Sequence, residues 1–185
     1  MNNIVLFGDS ITAGVINGYP SPIFSRMISK AVTPYEVINR GVPGDSTRPA
    51  LSRVQDDVIA SHPKAVVIFF GTNDCKDEQT DIPQFKQNLS QMIAEIGAEK
   101  CILITPGITG PSRQEKRPLE KMKQYAQAVI EVGQKNQVPV LDWYSIASHY
   151  QPKKLLQSDD IHYTKYAYEL LAKNLIPLVK QKLDL

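Results

Sequence analysis

The stretch AVVIFFGTND, residues 65–74, has six consecutive apolar residues followed directly by glycine and three polar residues. An apolar run of this length, rich in β-branched side chains, is typical of a strand that is buried on both faces in a parallel sheet. Four similar runs begin at Ile4, Tyr35, Cys101 and Val138, so that such runs recur about every 30 residues. This spacing leaves room for one helix between successive strands, which favours a parallel sheet with helical crossovers.

The segments between the apolar runs show helical periodicity. Each contains a stripe of apolar residues at helical spacing. The stripes are Ile23, Met27, Ile28 and Ala31; Leu51, Val54, Val58 and Ile59; Phe85, Leu89, Met92, Ile93 and Ile96; Leu119, Met122, Ala126, Val129 and Ile130; and Tyr168, Leu171 and Leu175. The last helix begins near Thr164, and Pro177 predicts a kink or an end in it. Five β-α repeats predict a three-layer α/β/α sandwich around a five-stranded parallel sheet.

Composition indicates one globular domain over residues 1–185. Hydrophobic residues make up 42% and charged residues 22% of the chain, and the formal net charge is +2. The densest basic run, residues 113–123, is interleaved with Glu115 and Glu120. This pattern argues against a nucleic-acid partner, because a binding surface for nucleic acid requires a continuous basic stripe.

The N-terminal sequence MNNIVLFGDS has no basic segment, and its apolar run is only four residues long. We therefore expect no signal peptide and no stable membrane insertion. Cys75 and Cys101 have no metal-ligand spacing and form no disulfide framework, which favours a reduced, cytoplasmic protein. Nucleotide-binding versions of the architecture are disfavoured, because both the Gly-x-Gly-x-x-Gly pattern and the Gly-Lys-Ser/Thr phosphate loop are absent from the sequence.

Ligands of open α/β sheets bind beyond the carboxyl ends of the strands, which directs attention to the residues that follow each apolar run. Ser10 follows the first run in GDSITAG, Gly44 follows the second in NRGVPGDST, and Asn73 follows the third in GTND. Taken singly, each stretch is more typical of a turn. Asp45 or Ser46 would then only cap the next helix.

The stretch SDDIHYT, residues 158–164, supplies a histidine and an acid that could act together with these separate residues in one reaction. His162 is the only one of the three histidines with carboxylates two and three residues before it. A serine hydroxyl becomes a nucleophile when a histidine takes its proton and an acid orients that histidine. Ser10, His162 and Asp159 supply these roles, and the backbone N–H groups of Ser10 and Gly44 with the side-chain amide of Asn73 would form an oxyanion hole.

The four blocks FGDSIT, NRGVPGDST, GTND and DDIHY resemble, in order and spacing, those of the GDSL or SGNH hydrolase family. The resemblance runs from Ile4 to about Leu175. It matches the family's Ser, Gly, Asn and His to Ser10, Gly44, Asn73 and His162. It implies a flavodoxin-like sheet, no metal, no cofactor, and hydrolysis of small-molecule esters or thioesters through an acyl-serine. The stretches LITPGITG and VPVLDWYS are most similar to small esterases and lysophospholipase-type acylhydrolases.

The chain departs from the family at one position of the histidine block. The family commonly has Asp-Gly-x-His, whereas this chain has Asp160 in place of the glycine, so two carboxylates precede the histidine. The family match selects Asp159, three residues before His162. The α/β-hydrolase pattern Gly-x-Ser-x-Gly is not met, because Thr12 stands where its second glycine would be.

Two other functions are compatible with the same blocks. An O-deacetylase that acts on carbohydrate would use the same catalytic residues. A non-catalytic module that only binds an acyl or sugar ligand would not need them together. His62 and His149 have no acidic partner in the sequence and are expected on the surface or in ordinary packing, Cys75 is expected to be an inert buried thiol, and residues 107–118 are expected to form a flexible loop.

Overall fold

The computed structural model describes residues 2–185 and contains a five-stranded parallel sheet in the order β2-β1-β3-β4-β5. Its strands are β1 (Asn3–Gly8), β2 (Glu36–Gly41), β3 (Pro63–Phe69), β4 (Cys101–Ile104) and β5 (Val140–Leu141). Its helices are α1 (Ile23–Ala31), α2 (Thr47–Leu51), α3 (Val54–Asp57), α4 (Ile82–Ile96), α5 (Leu119–Asn136), α6 (Trp143–Ser148), α7 (Pro152–Leu155) and α8 (Lys165–Lys182). This strand order is that of flavodoxin-like folds, and the predicted fold class is confirmed.

Two apolar cores lie on opposite faces of the sheet and make the three layers. In β1 the alternation is complete, since Ile4 and Leu6 belong to one core and Val5 and Phe7 to the other. Helices α1 and α8 cover the first face and pack on each other, while α4 and α5 do so on the second. The predicted helical stripes thus provide the apolar faces that cover the sheet.

Two helical segments differ from their prediction. The stripe from Leu51 to Ile59 forms two short helices, α2 and α3, and one 3₁₀ turn instead of one helix. Pro177 was expected to kink or to end the last helix, and the second of these expectations is wrong. Helix α8 continues to Lys182, and Val179 beyond the proline is buried in the first core. Burial of apolar surface in this last turn outweighs the hydrogen bond that the proline removes.

Strands β1, β2 and β3 end at the same level. Gly8 pairs with Gly41 on one side and with Phe69 on the other, so the turns that carry Ser10, Gly44 and Asn73 leave the sheet together. Gly8 has no space for a side chain, because a Cβ atom there would lie 2.6 Å from the Phe69 carbonyl oxygen and 2.1 Å from Thr12 Oγ1. The close approach of the serine turn to β3 therefore requires glycine.

We expect Gly8→Ala to lower the free energy of unfolding by about 2–3 kcal/mol, because the Phe69 carbonyl belongs to the sheet and cannot move aside. Gly18→Ala is the control. Gly18, unlike Gly8, has a positive φ, 86°, but a Cβ atom there meets nothing within 4 Å, so its cost is only the backbone term of roughly 1 kcal/mol. Urea denaturation measures both. A Gly8→Ala protein as stable as Gly18→Ala would show that the close approach does not constrain the fold.

Candidate active site

Ser10, His162 and Asp159 form a continuous line of hydrogen bonds. Ser10 lies in the turn after β1, and the other two residues lie in the loop between α7 and α8. His162 Nε2 is 3.0 Å from Ser10 Oγ, and His162 Nδ1 is 2.5 Å from Asp159 Oδ2. The three residues that the sequence assigns to one reaction are therefore in contact, although 152 positions separate serine from histidine.

Asp159 determines which nitrogen of His162 carries the proton. Burial alone would raise the pKa of Asp159, but hydrogen bonds from the His162 ring, the His162 N–H and the Ile161 N–H outweigh it and lower the pKa. The ionised carboxylate can only accept, so His162 Nδ1 donates the proton to it. Nε2 consequently presents its lone pair to Ser10 Oγ–H, as a general base requires.

Asp160 does not contact the His162 ring. Its φ is +61°, and its carboxylate accepts a hydrogen bond of 2.9 Å from the Ser112 N–H. Its backbone carbonyl also accepts from the Gly110 N–H at 2.9 Å. A positive φ favours glycine and is tolerated by aspartate, which explains how Asp160 can stand where the family has glycine. Of the two candidate acids, only Asp159 reaches the histidine.

Two backbone N–H groups are available near Ser10. Within residues 2–185, the N–H groups of Ser10 and Gly44 donate to no protein acceptor. Gly44 has φ +82° and is exposed, and the turn that contains it follows Gly41, the neighbour of Gly8 in the sheet. Free donors at a strand-end turn are the groups from which an oxyanion hole is built.

The Asn73 amide is held from both ends. Its Nδ2 donates to the Asp45 carbonyl at 2.9 Å and lies 3.4 Å from Asp9 Oδ2, while its Oδ1 accepts from Arg117 Nη2 at 3.0 Å. Because arginine only donates and a carbonyl only accepts, the chemistry of both partners turns the NH₂ group the same way. The second hydrogen of this NH₂ group has only the long contact with Asp9.

The comparisons with known proteins identify the family of the chain. The model of the GDSL-like lipase/acylhydrolase family matches residues 6–170. The chain belongs to this family. A human relative, the isoamyl acetate-hydrolyzing esterase 1 homolog, is 30% identical over 98% of this chain and 82% of its own length. The chain is accordingly a carboxylic ester hydrolase of the GDSL type.

Solved structures of similar proteins share the fold. The crystal structure of a lipase/acylhydrolase from Enterococcus faecalis is 38% identical, covers 98% of this chain and 97% of its own, and superposes with a TM-score of 0.92. An acetylxylan esterase from Geobacillus stearothermophilus is 21% identical over 96% of this chain and 94% of its own, with a TM-score of 0.77, which shows a common fold alone.

Two arginines that the sequence did not single out, the half-buried Arg53 and the buried Arg117, hold the strand-end turns of this GDSL-type hydrolase. Arg53 donates to Asp45 Oδ2 and to the Gly8 carbonyl, at 2.6 and 3.1 Å, and its guanidinium lies 4.4 Å from the centre of the Phe7 ring. Arg117, 4% exposed, holds Asn73 as described. Asp45 pairs with Arg53, so it does not cap α2. The available signal for Arg53 was its i,i+4 spacing to Asp57, with which it also pairs.

Asp9 and Asp74 are buried in the turns that follow β1 and β3, and both accept hydrogen bonds. Asp9 accepts from the Ile11 N–H, and Asp74 accepts from the N–H groups of Gly71 and Thr47. Burial raises the pKa of Asp9 to about 7 and that of Asp74 to about 6, although these hydrogen bonds oppose the shift. The turns of Ser10 and Asn73 therefore rest on carboxyl groups that hold their protons unusually well.

The remaining candidates lie outside the site. His62 and His149 are exposed, as expected. The ring nitrogen Nδ1 of His149 is hydrogen-bonded to the Ser145 carbonyl. Burial raises the pKa of the Cys75 thiol to about 11, which makes it unreactive. Within residues 2–185 no helix is long and apolar enough to cross a membrane, and no cluster of three metal-ligating side chains occurs.

Residues 107–118 were expected to form a flexible loop, but hydrogen bonds hold this segment at several points. Residues 107–110 are buried, Thr109 Oγ1 donates to the Arg117 carbonyl at 3.0 Å, and Arg113 Nε donates to the Asp159 carbonyl at 2.8 Å. Together with the bond from Ser112 to Asp160, these contacts connect the segment to the histidine loop. It reaches the asparagine turn through Arg117.

The raised pKa of Asp9 predicts how stability depends on pH. Between about pH 3.9, the usual value for aspartate, and about pH 7, the folded protein holds a proton that the unfolded chain has released. The free energy of unfolding therefore falls as the pH rises through this window. We expect Asp9→Asn to remove roughly 1–3 kcal/mol of that fall, because its side chain does not ionise.

Urea denaturation at pH 5 and pH 8 measures this difference. Asp56→Asn, on the exposed surface of α3, is the control and is expected to leave the pH dependence unchanged. An Asp9→Asn protein with the same pH dependence as the parent protein would show that Asp9 is ionised in the folded state across this range.

Proposed function

We propose that the chain hydrolyses carboxylic esters or thioesters through an acyl-enzyme on Ser10, with His162 as the general base and acid and Asp159 as the residue that orients it. The observation that carries the proposal is the line of hydrogen bonds from Ser10 Oγ through both nitrogens of the His162 ring to Asp159. Membership in the GDSL-like family supports the same reaction class.

In the acylation step, His162 Nε2 takes the Ser10 hydroxyl proton as Oγ attacks the carbonyl carbon of the ester. The carbonyl π electrons move to the oxygen and give a tetrahedral intermediate. His162 Nε2 then returns the proton to the leaving alcohol or thiol as the bond to it breaks. Asp159 stabilises the imidazolium that exists between these transfers, and it is ionised to do so because its pKa is lowered.

The negative oxygen of the intermediate requires donors that are in place before the reaction begins. We assign this role to the N–H groups of Ser10 and Gly44 and to Asn73 Nδ2. The two backbone groups have no acceptor within the described residues, so binding the oxygen breaks no protein hydrogen bond. Asn73 adds a donor without a charge of its own, which leaves the basicity of His162 undisturbed.

In the deacylation step, a water molecule occupies the place of the departed alcohol. His162 Nε2 takes a proton from this water, and the oxygen attacks the acyl carbon. Collapse of the second intermediate breaks the bond to Ser10 Oγ, which recovers its proton from His162. The side chain of His162 is 21% exposed and that of Asp159 is 37% exposed, so solvent reaches the loop that carries the base.

The substrate class that we favour is a small acyl ester or an acyl lipid. A fission-yeast relative, 23% identical, is named an isoamyl acetate-hydrolyzing esterase, and the human relative, 30% identical, is named a homolog of such an esterase. These names favour short acyl groups. Deacetylation of a carbohydrate is the second candidate and would use the same residues, because specificity depends on the shape of the pocket around them. The cytoplasmic location remains a prediction from the sequence.

A panel of aryl esters of increasing acyl length, acyl thioesters and acetylated xylose oligomers distinguishes these substrate classes. We expect the highest kcat/KM for acetyl or other short acyl esters. A preference for the acetylated sugars would favour the deacetylase, while turnover of none of the panel would favour a non-catalytic binding module.

We expect Ser10→Ala to abolish ester hydrolysis and to preserve the fold. Loss of the nucleophile costs on the order of 10⁶ in turnover in serine-protease precedents. Hydrolysis of 4-nitrophenyl acetate and stoichiometric labelling by a phosphonyl fluoride measure the effect. Ser52→Ala is the control, since Ser52 is exposed and its hydroxyl donates only to the Pro49 carbonyl. A Ser10→Ala protein with a tenth of the parent activity would rule out the assignment.

We expect Asp159→Asn and Asp160→Asn to differ strongly in kcat. Asp159→Asn removes the acceptor that holds the proton on Nδ1, and the equivalent change costs about 10⁴ in serine proteases. We expect a smaller loss of kcat here, at least roughly 10²-fold. The Asp159 side chain is 37% exposed, so water can accept part of the hydrogen bonding that the carboxylate loses. In Asp160→Asn the side-chain oxygen can still accept from the Ser112 N–H, and asparagine tolerates the positive φ, so the loss should stay below about fivefold.

Steady-state kinetics on one aryl ester compares the two variants, and each serves as the control for the other. A greater loss of kcat in Asp160→Asn than in Asp159→Asn would contradict the assignment of the acid.

A further inference from the structure

We infer that Arg117 is a positioning residue of the oxyanion hole, which orients and polarises the Asn73 amide; this rests on the proposed function. Arg117 lies two residues before α5, and 44 positions separate it from Asn73. Its guanidinium makes two side-chain bonds, from Nε to the Thr72 carbonyl at 2.7 Å and from Nη2 to Asn73 Oδ1 at 3.0 Å. Both acceptors belong to the asparagine turn.

The charge of Arg117 is costly to bury and is not neutralised by an ion pair. The residue is 4% exposed, and no carboxylate of residues 2–185 lies within ion-pair distance of it. Burial and the nearby Arg113 lower the pKa of Arg117, as expected for a cation held away from water. A methionine of similar length would fill the same volume without this cost, so packing alone does not explain an arginine here.

The contact with Asn73 has two consequences for an oxyanion hole. A donor-only group on Oδ1 excludes the flipped amide, in which the oxygen would point toward the negative oxygen of the intermediate. A cationic donor on Oδ1 also withdraws electron density from the amide, which makes the Nδ2 hydrogens stronger donors. Both effects act in the transition state, so they raise kcat more than they change KM.

The contacts of the Arg117 backbone explain how the side chain stays in place. Its N–H donates to the Arg113 carbonyl at 2.9 Å, and its carbonyl accepts from Thr109 Oγ1 at 3.0 Å. The same segment holds the histidine loop through Arg113 and Ser112. Residues 109–117 thus connect the general base to the oxyanion donor, and Arg117 is the end that reaches Asn73.

The test is a double-mutant cycle with Arg117→Met and Asn73→Ala, with kcat and KM measured on 4-nitrophenyl acetate and normalised to sites titrated by a phosphonyl fluoride. We expect Asn73→Ala to lower kcat roughly 10²–10³-fold. Arg117→Met alone should lower kcat about 10- to 100-fold and keep KM within about threefold of the parent value. A displacement of about 1 Å of a group that acts in the transition state lowers the rate by a factor of this size. In the Asn73→Ala background, Arg117→Met should cost less than about threefold, because the amide through which it acts is gone.

Two further variants separate positioning from a structural role. Arg117→Lys keeps a cationic donor and should recover part of the lost kcat, and Lys116→Met, an exposed change in the same segment, should leave kcat unchanged. Equal losses from Arg117→Met in both backgrounds would overturn the inference. The inference would also be overturned if the Arg117→Met protein were too unstable to assay and the Arg117→Lys protein had the parental kcat. Activity of Ser10→Ala would instead overturn the proposed function, since the cycle does not involve that residue.

Discussion

The parallel pairing of β1 with β2 and β3 is the constraint on which the site depends. Gly8 pairs with both Gly41 and Phe69, so three consecutive turns leave the sheet at one level. Parallel strands align their carboxyl ends, and this is where open α/β sheets bind ligands. Ser10 follows this level directly, which leaves the turn of Gly44 on one side and that of Asn73 on the other. A sheet of different strand order would separate these groups.

Buried and half-buried polar groups at the sheet edge convert this proximity into a fixed geometry. Arg53 connects Asp45 to the Gly8 carbonyl, and Asp74 joins the asparagine turn to the beginning of α2 through Thr47. Buried polar groups in a low dielectric are strongly stabilised when satisfied and costly when not, so they hold one arrangement of the turns. Burial raises the pKa of Asp9, which lies next to the serine, so ionising this carboxyl group in the folded protein is unfavourable.

The residues of the proposed site could be named from the sequence because they occupy local positions that the sequence displays. Ser10 and Asn73 come directly after apolar runs, and His162 follows its acids within one turn. Arg53 and Arg117 were missed, because what distinguishes them is contact with residues 44 or 45 positions away. A basic residue in a segment rich in charge and proline is typical of the surface. Only the packing of residues 109–117 against the asparagine turn shows that Arg117 is buried.

By itself the sequence determined the alternation of strands and helices and the α/β/α class, because periodicity is a local property. It also predicted Ser10, Asn73 and His162 as site residues, because residue type and position along the chain are local properties as well. The tertiary structure decided which aspartate holds the histidine and which way the Asn73 amide faces. Asp159 and Asp160 are chemically identical, and only the positive φ at Asp160 turns the second carboxylate toward Ser112. The direction of the amide depends on a donor that the fold brings from 44 positions away.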